Sequence, residues 1–241
     1  QALDANTTGD SNTAVGQASL SANTTGDGNT AIGYQALVSN TTADKNTAVG
    51  EGGLRANTTG QYNTALGYYA LGKNTTANAN SALGFQSLSE NTTGTENTAL
   101  GYKALEANVT TSYNTGVGYH ALKVNTGEYN TAIGNIALEA NTTGGANVAL
   151  GAYTLKTNTT GDNNTAVGNG ALQANTTGGQ NSAIGFQALY SNTTANNNAA
   201  VGYYALRLNT TGTSNVAVGQ NALSTQTTAD DNTAVGYYAG G

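Results

Sequence analysis

Proline, cysteine, methionine and tryptophan are absent from this chain, and only 8% of its 241 residues are charged. Without cysteine there is no disulfide framework and no thiolate for catalysis or metal binding, and the redox compartment is left open. Seven Lys and Arg stand against thirteen Asp and Glu, a net charge of −6, and they are scattered. No basic stripe for nucleic acid results. No apolar run approaches the ~20 residues needed to span a bilayer as a helix. The opening Gln1-Ala2-Leu3 lacks the charged-then-apolar order of a signal sequence, so a targeting segment is expected upstream or already removed. Asn, Thr and Gly, which dominate along with Ala, are poor in helix interiors, and no apolar stripe recurs at helical spacing. Disorder fits such bias in general, but disordered chains have few aliphatic residues and none in fixed places.

Here the aliphatics are fixed by a repeat that covers the whole chain. With Asn12 as position 1 of a coil, Asn29, Asn46, Asn63, Asn80, Asn97 and Asn114 follow at intervals of 17. The series resumes at Asn130 after one interval of 16 and runs on to Asn232. One coil reads N-T-A-V-G-Y-Q-A-L-x-x-N-T-T-G-x-x. Position 4 is Val, Ile or Leu in all fourteen copies, position 5 is always Gly, and position 9 is Leu from Leu3 to Leu223. Positions 7, 10, 11, 16 and 17 drift freely. Columns that hold still beside columns that drift point to structural constraint.

These features predict an all-β chain: a parallel β-solenoid (β-roll or β-helix) of about fourteen 17-residue coils, with residues 1–241 forming one tandem-repeat segment of a longer fibre. Positions 2 to 5 form a short strand, in which positions 3 and 4 point to opposite faces. The Gly at position 5 ends it, at a bend needing positive φ or close backbone approach. A second short strand is expected at positions 8 and 9, followed by an N-T-T-G turn. The structural ladder is therefore Val15, Gly16, Leu20 and Asn23 in one coil and Ile32, Gly33, Leu37 and Asn40 in the next. The turn asparagines are expected to bond one another along the stack, as amides do in cross-β structures. The missing residue of the short coil falls in the turn, at Asn125-Thr126-Gly127, where a length change is cheap.

So narrow a coil buries little surface, while each ordered residue costs ~1–2 kcal/mol of backbone entropy. Positions 3 and 4 are both apolar and face opposite ways, so one face lines the coil and the other needs a second surface. A homotrimer or larger bundle is predicted. Neither terminus reads as a polar cap, so end-to-end stacking into a fibre is expected as well.

Candidate sites are few. The single His120, at drifting position 7, reads as a solvated surface residue, and no nucleophile, base and acid converge, so no enzyme activity is expected. Asp10, Asp27, Asp44, Asp162 and Asp230 share position 16. Calcium would need six to eight oxygens, and solvated turn carboxylates account for the same letters, so no cofactor or metal is implied. Tyr34, Tyr68, Phe85, Tyr102, Tyr119, Phe186, Tyr203 and Tyr237 share position 6. Facing solvent, they would form a discontinuous aromatic column suited to stacking on sugars or on another protein; facing inward, they would seal the bend or an interchain seam. Twelve turns carry Asn-x-Thr, the formal acceptor of N-linked sugar, but an asparagine ladder explains the same letters.

The pattern Thr-Ala-aliphatic-Gly-x-x-Ala, as in Thr30 to Ala36 and Thr165 to Ala171, resembles the head repeats of YadA-like trimeric autotransporter adhesins. The fuller string from Asn29 to Leu37, followed by Asn40-Thr41-Thr42, is similar to repeat arrays of bacterial and phage tail-fibre-type surface proteins. The adhesin-head repeat is shorter than 17. The resemblance covers the whole chain and implies a trimeric parallel β-roll. It places the protein outside the cell, on a cell surface or on a virion, as a structural or adhesive fibre whose partners are itself and a glycan or cell-surface receptor. A passive tail-fibre shaft and an ice-binding solenoid are the alternatives. The usual ice-binding array needs two outward Thr at alternate strand positions, whereas Thr24 and Thr25 are adjacent and would point apart. A carbohydrate-degrading solenoid would need convergent catalytic carboxylates, and the sequence offers none.

Overall fold

The computed structural model describes residues 1–240, which fall in two compact units, Gln1–Val117 and Gly118–Gly241. Each is a parallel β-solenoid with one three-residue strand per coil. The first unit contains β1 (Thr13–Val15), β2 (Thr30–Ile32), β3 (Thr47–Val49), β4 (Thr64–Leu66), β5 (Ser81–Leu83), β6 (Thr98–Leu100) and β7 (Thr115–Val117). The second contains β8 (Thr131–Ile133), β9 (Val148–Leu150), β10 (Thr165–Val167), β11 (Ser182–Ile184), β12 (Ala199–Val201), β13 (Val216–Val218) and β14 (Thr233–Val235). Within each unit, consecutive strands pair in parallel and like position meets like. Thr30, Ala31 and Ile32 lie opposite Thr47, Ala48 and Val49, and Thr165, Ala166 and Val167 opposite Ser182, Ala183 and Ile184.

The interior of a coil is about one methyl group wide. Position 3 is buried, as at Ala31, Ala48 and Ala65, and it faces position 8 across the coil. In the coil where position 8 is Gly53, a Cβ built there would lie 3.5 Å from the Ala48 Cβ. Only small residues fit this column. Where it holds a hydroxyl, the hydroxyl turns to the bend: Ser19 Oγ donates to the Gly16 carbonyl at 2.9 Å and Thr154 Oγ1 to that of Gly151 at 2.7 Å. Leucine at position 9 fills the remaining apolar space; Leu20, Leu37, Leu54 and Leu71 are all 0% exposed.

The second strand expected at positions 8 and 9 does not form. Positions 7 and 9 are left-handed in coil after coil, with φ of 56° at Gln35 and 52° at Leu37, and of 51° at both Gln187 and Leu189. A coil of 17 residues has to close on itself, and alternating left-handed residues bend the chain here while keeping it bonded to its neighbours. Gln35 N–H donates back to the Gln17 carbonyl at 3.0 Å, and Leu37 N–H forward to that of Gly53 at 3.0 Å. A leucine in this conformation costs about 1–2 kcal/mol, and full burial of its side chain returns about 1.5–3 kcal/mol. Burial wins.

The glycine bend is required twice over. Gly33 has φ of 134°, and a Cβ on it would stand 2.6 Å from the Gly50 carbonyl oxygen of the next coil. No side chain fits between backbones this close.

Asparagine supports the coil in two ladders. At position 12, Asn40 Nδ2 donates to Asn23 Oδ1 at 2.9 Å and to the Ala43 carbonyl at 3.0 Å. At position 1, Asn46 N–H donates to Asn29 Oδ1 at 3.0 Å, while Asn29 Nδ2 donates to the Ala43 carbonyl at 2.8 Å. The Ala43 carbonyl thus receives both ladders, and both asparagines are fully buried. Each net bond contributes about 1 kcal/mol, but a buried amide left without its partner would cost about 1–3 kcal/mol. The ladders fix the register as much as they add stability.

The short coil keeps its ladder. Asn125 Nδ2 donates to the Gly127 carbonyl at 2.8 Å, two residues on instead of three, and Asn141 Nδ2 still reaches Asn125 Oδ1 at 2.8 Å. The turn absorbs the missing residue.

Candidate interaction surfaces

The ladder residues named from the sequence divide between inside and outside. Leu20 and Leu37 are core, Asn23 and Asn40 are ladder, and Gly16 and Gly33 make the bend. Val15 and Ile32 lie outside. Position 4 is the outward aliphatic column: Val15 is 57% exposed and Leu83 45%, and Ile133, Ile184 and Val201 are exposed in the second unit. Position 2 shares that outer face, since it lies two residues back along the strand. In the first unit Thr64, Leu66, Ser81, Leu83, Thr98 and Leu100 line an open apolar groove of about 220 Å³. No charged residue occurs at positions 2, 3 or 4 in any copy.

The aromatic residues at position 6 are exposed and stacked on one another. Tyr68 and Phe85 have ring centroids 5.2 Å apart at 9°, Phe85 and Tyr102 are 5.2 Å apart at 7°, and Phe186 and Tyr203 are 5.4 Å apart at 15°. Rings in such a column cover one another's faces and offer solvent their edges. The column is therefore a poor platform for a sugar ring, which stacks on a free face. Tyr34 and Tyr237 are exposed without a stacked ring from a neighbouring position 6, because Gln17, Glu51 and Gln220 occupy the adjacent coils. Tyr119 stacks on His120 at 4.0 Å.

Drifting position 7 holds a second set of rings that the column count passed over: Tyr69, Tyr153, Tyr204 and Tyr238. Their signal was a basic residue three positions on, in Tyr153–Lys156 and Tyr204–Arg207. Arg207 lies 4.4 Å from the Tyr204 ring centroid and Lys156 Nζ 5.8 Å from that of Tyr153. Arg55 over Tyr69 and Lys45 over Tyr62 are further such pairs, so most of the scattered cations cover aromatic rings.

His120 is not the solvated residue its drifting column suggested. Its side chain is 14% exposed, and Nδ1 lies 3.1 Å from Glu139 Oε1 of the next coil. The position-16 carboxylates are not simply solvated either, because they bond from coil to coil. Asp27 Oδ1 accepts from Asp10 N–H at 2.7 Å, Asp44 Oδ1 from Asp27 N–H at 2.8 Å, and Asp230 Oδ1 from Thr213 N–H at 2.6 Å. The Thr213 backbone N–H, and then its hydroxyl, hold the Asp230 pKa below its ordinary value. Asn78 and Asn196 make the same bond to Gln61 and Gly179, which explains why Asp and Asn interchange in this column. Among the described residues no group of three or more His, Cys, Asp or Glu side chains could hold a metal ion.

The turn asparagines leave no room for sugar in the folded chain. Nδ2 is the atom that would carry it, and from Asn23 to Asn209 the residue is buried, with both Nδ2 hydrogens used at sites such as Asn57, Asn74 and Asn175. Among the described residues no helix is long and apolar enough to cross a membrane.

Comparison with protein-family models, with curated proteins and with solved structures finds no match.

Proposed function

We propose that this chain is a non-enzymatic segment of an extracellular fibre, on a cell or virion surface, that associates with copies of itself as a homotrimer or larger bundle. Its drifting columns display a repetitive surface for attachment. The observation that carries this reading is the outward aliphatic column at position 4, uncharged and exposed in both units. With the uncharged position 2 it recurs in every coil of each unit, so the strip lengthens with the stack. A second copy repeats at the same coil spacing, so it can match this strip along its length; a non-repetitive partner can match it over one or two coils only. The YadA-like resemblance of Thr30 to Ala36 points the same way.

The test is mass in solution by light scattering. The expected result is a multiple of the 24.1 kDa chain, with three copies favoured, and dissociation on Leu83→Lys, which places a charge mid-strip. A well-folded monomer at micromolar concentration would overturn the reading. The outward Thr at position 2 supports one other reading, ordering of ice-like water on the strand face. There Thr alternates with an aliphatic residue instead of a second Thr, and a thermal hysteresis assay separates the two.

A further inference from the structure

One place in the first unit departs from the repeat in a way that makes a site. In the position-10 column Arg55, Gly72 and Ser89 follow one another in consecutive coils. The missing side chain at Gly72 lets the Tyr69 ring pack against it, and beside them lies an open cleft of about 390 Å³ lined by Arg55 and Ser89. Tyr69 and Gln86, from position 7, and Lys73 and Glu90, from position 11, also line it. That volume falls in the range of small-molecule pockets.

Several polar side chains of the cleft lack a hydrogen-bond partner in the chain. Most buried asparagines of the coil are bonded into ladders. Here the side chains of Ser39, Arg55, Gln86 and Ser89 make no hydrogen bond or ion pair with any described residue. Ser89 is only 7% exposed, so its hydroxyl is a nearly buried polar group whose remaining access is through the cleft. Such groups cost free energy unless something bonds them. Lys73 and Glu90 are paired with each other, which leaves the Arg55 guanidinium as the one uncompensated charge. Arg55 also lies over the Tyr69 ring at 6.0 Å.

We propose that this cleft binds a sugar carrying one carboxylate, a uronic acid unit of a polysaccharide. The assignment rests on the adhesive reading above and gives it a ligand class. A guanidinium fork matches a carboxylate in two parallel bonds. The Ser39 and Ser89 hydroxyls and the Gln86 amide both donate and accept, as sugar hydroxyls do. The part of the Tyr69 ring that lines the cleft offers apolar contact to the sugar's C–H groups. One net positive charge in the cleft selects one negative charge per unit over a neutral sugar.

Isothermal titration calorimetry with tri-galacturonate and with its methyl ester tests this on the intact chain. Saturable binding of the acid is expected, with the ester roughly ten- to hundredfold weaker, the value of one charge-assisted contact. Arg55→Gln, at an exposed position, should weaken the acid by a similar factor, leave the ester unchanged and leave the melting temperature where it was. Absence of saturable binding, equal affinity for acid and ester, or full affinity in Arg55→Gln would each overturn the proposal. Inorganic phosphate competing as well as galacturonate would overturn the sugar class and leave a bare anion site. Light scattering on the same samples reports assembly independently, so loss of this site and loss of the fibre reading give different results.

Discussion

Gln226→Asn should stabilise the last coil, and the reason lies in a single unpaired oxygen. Within each unit, position-12 asparagine amides donate to the Oδ1 of the coil before, as Asn209 Nδ2 does to Asn192 Oδ1 at 3.2 Å. The next residue in the column is Gln226, one methylene longer. Its Nε2 reaches past the ladder to Asn215 Oδ1 at 3.1 Å and to the Ala229 carbonyl. Asn209 Oδ1 is left buried with no partner. An orphaned buried acceptor costs about 1–3 kcal/mol. The shorter side chain would donate to Asn209 Oδ1 and keep the Ala229 carbonyl, as every earlier coil does. It would give up the bond to Asn215 Oδ1, which still accepts from Asn232 N–H at 3.0 Å and Asn232 Nδ2 at 3.1 Å. The net gain is about 1–2 kcal/mol.

That gain belongs to the last coil, so the assay has to be local. Native-state hydrogen exchange at the amides of Leu223, Asp231, Gly236 and Tyr238, which bond to Ala239, Thr213, Val218 and Gln220, reports the opening of this coil. Exchange at these sites should slow by roughly 5- to 30-fold in Gln226→Asn. It should speed up in Gln226→Ala, which removes both hydrogen bonds that the Gln226 amide donates. Unchanged or faster exchange in the asparagine variant would refute the reasoning, because it would mean that Asn209 Oδ1 is already satisfied.

Two further perturbations test the fold itself. Because the Thr213 groups hold the Asp230 pKa below that of the unfolded chain, the carboxylate adds stability that is present above the ordinary carboxylate pKa. That stability is lost as pH falls from about 4 through the folded value. Protection at the Asp231 amide, taken relative to its intrinsic exchange rate at each pH, should therefore fall on acidification, and Asp230→Asn should flatten the dependence; identical pH profiles would contradict it. Deleting the 17 residues 164–180 joins Asn163 to Asn181 in phase and should leave the fold and its melting temperature nearly intact. Deleting only residues 164–171 misplaces a Leu and both asparagine ladders at about 2–5 kcal/mol per large apolar residue, so equal melting temperatures for the two deletions would show that the coil is not the structural unit.

The repeat, the parallel stacking, the glycine bend and the turn asparagines could all be read from the letters because each is a column that does not drift. Position 1 was used only to count coils, although its asparagine is as fixed as that of position 12 and forms the second ladder. The left-handed leucine could not be read, since Ala-Leu after a bend looks like a strand and left-handed backbone is disfavoured for leucine. Burial overrides that preference only because the neighbouring coils wall in the side chain, and this is tertiary information. The aromatic column was visible, but the direction of its ring faces was not. Ring-on-ring stacking depends on the spacing of adjacent coils, which a residue count does not supply. The cleft at Gly72 was out of reach for a related reason: it lies in positions 7, 10 and 11, the columns set aside as drifting.

Which of the two apolar strand positions faces in was likewise undecided by period two, and size settles it. Position 3 is Ala or Gly in every copy, while position 4 is always a larger aliphatic. A coil whose position-3 and position-8 methyl groups already touch has no space for Ile or Leu at position 3, as the 3.5 Å approach between Ala48 and a Cβ at Gly53 shows. An exposed surface site usually tolerates polar residues, yet position 4 has accepted none in fourteen copies, even though nothing inside the coil needs its bulk. The interior of the fold therefore does not explain the constancy of this column. A surface covering it would, and this is the physical ground for proposing a self-association seam along the outer face of the strands.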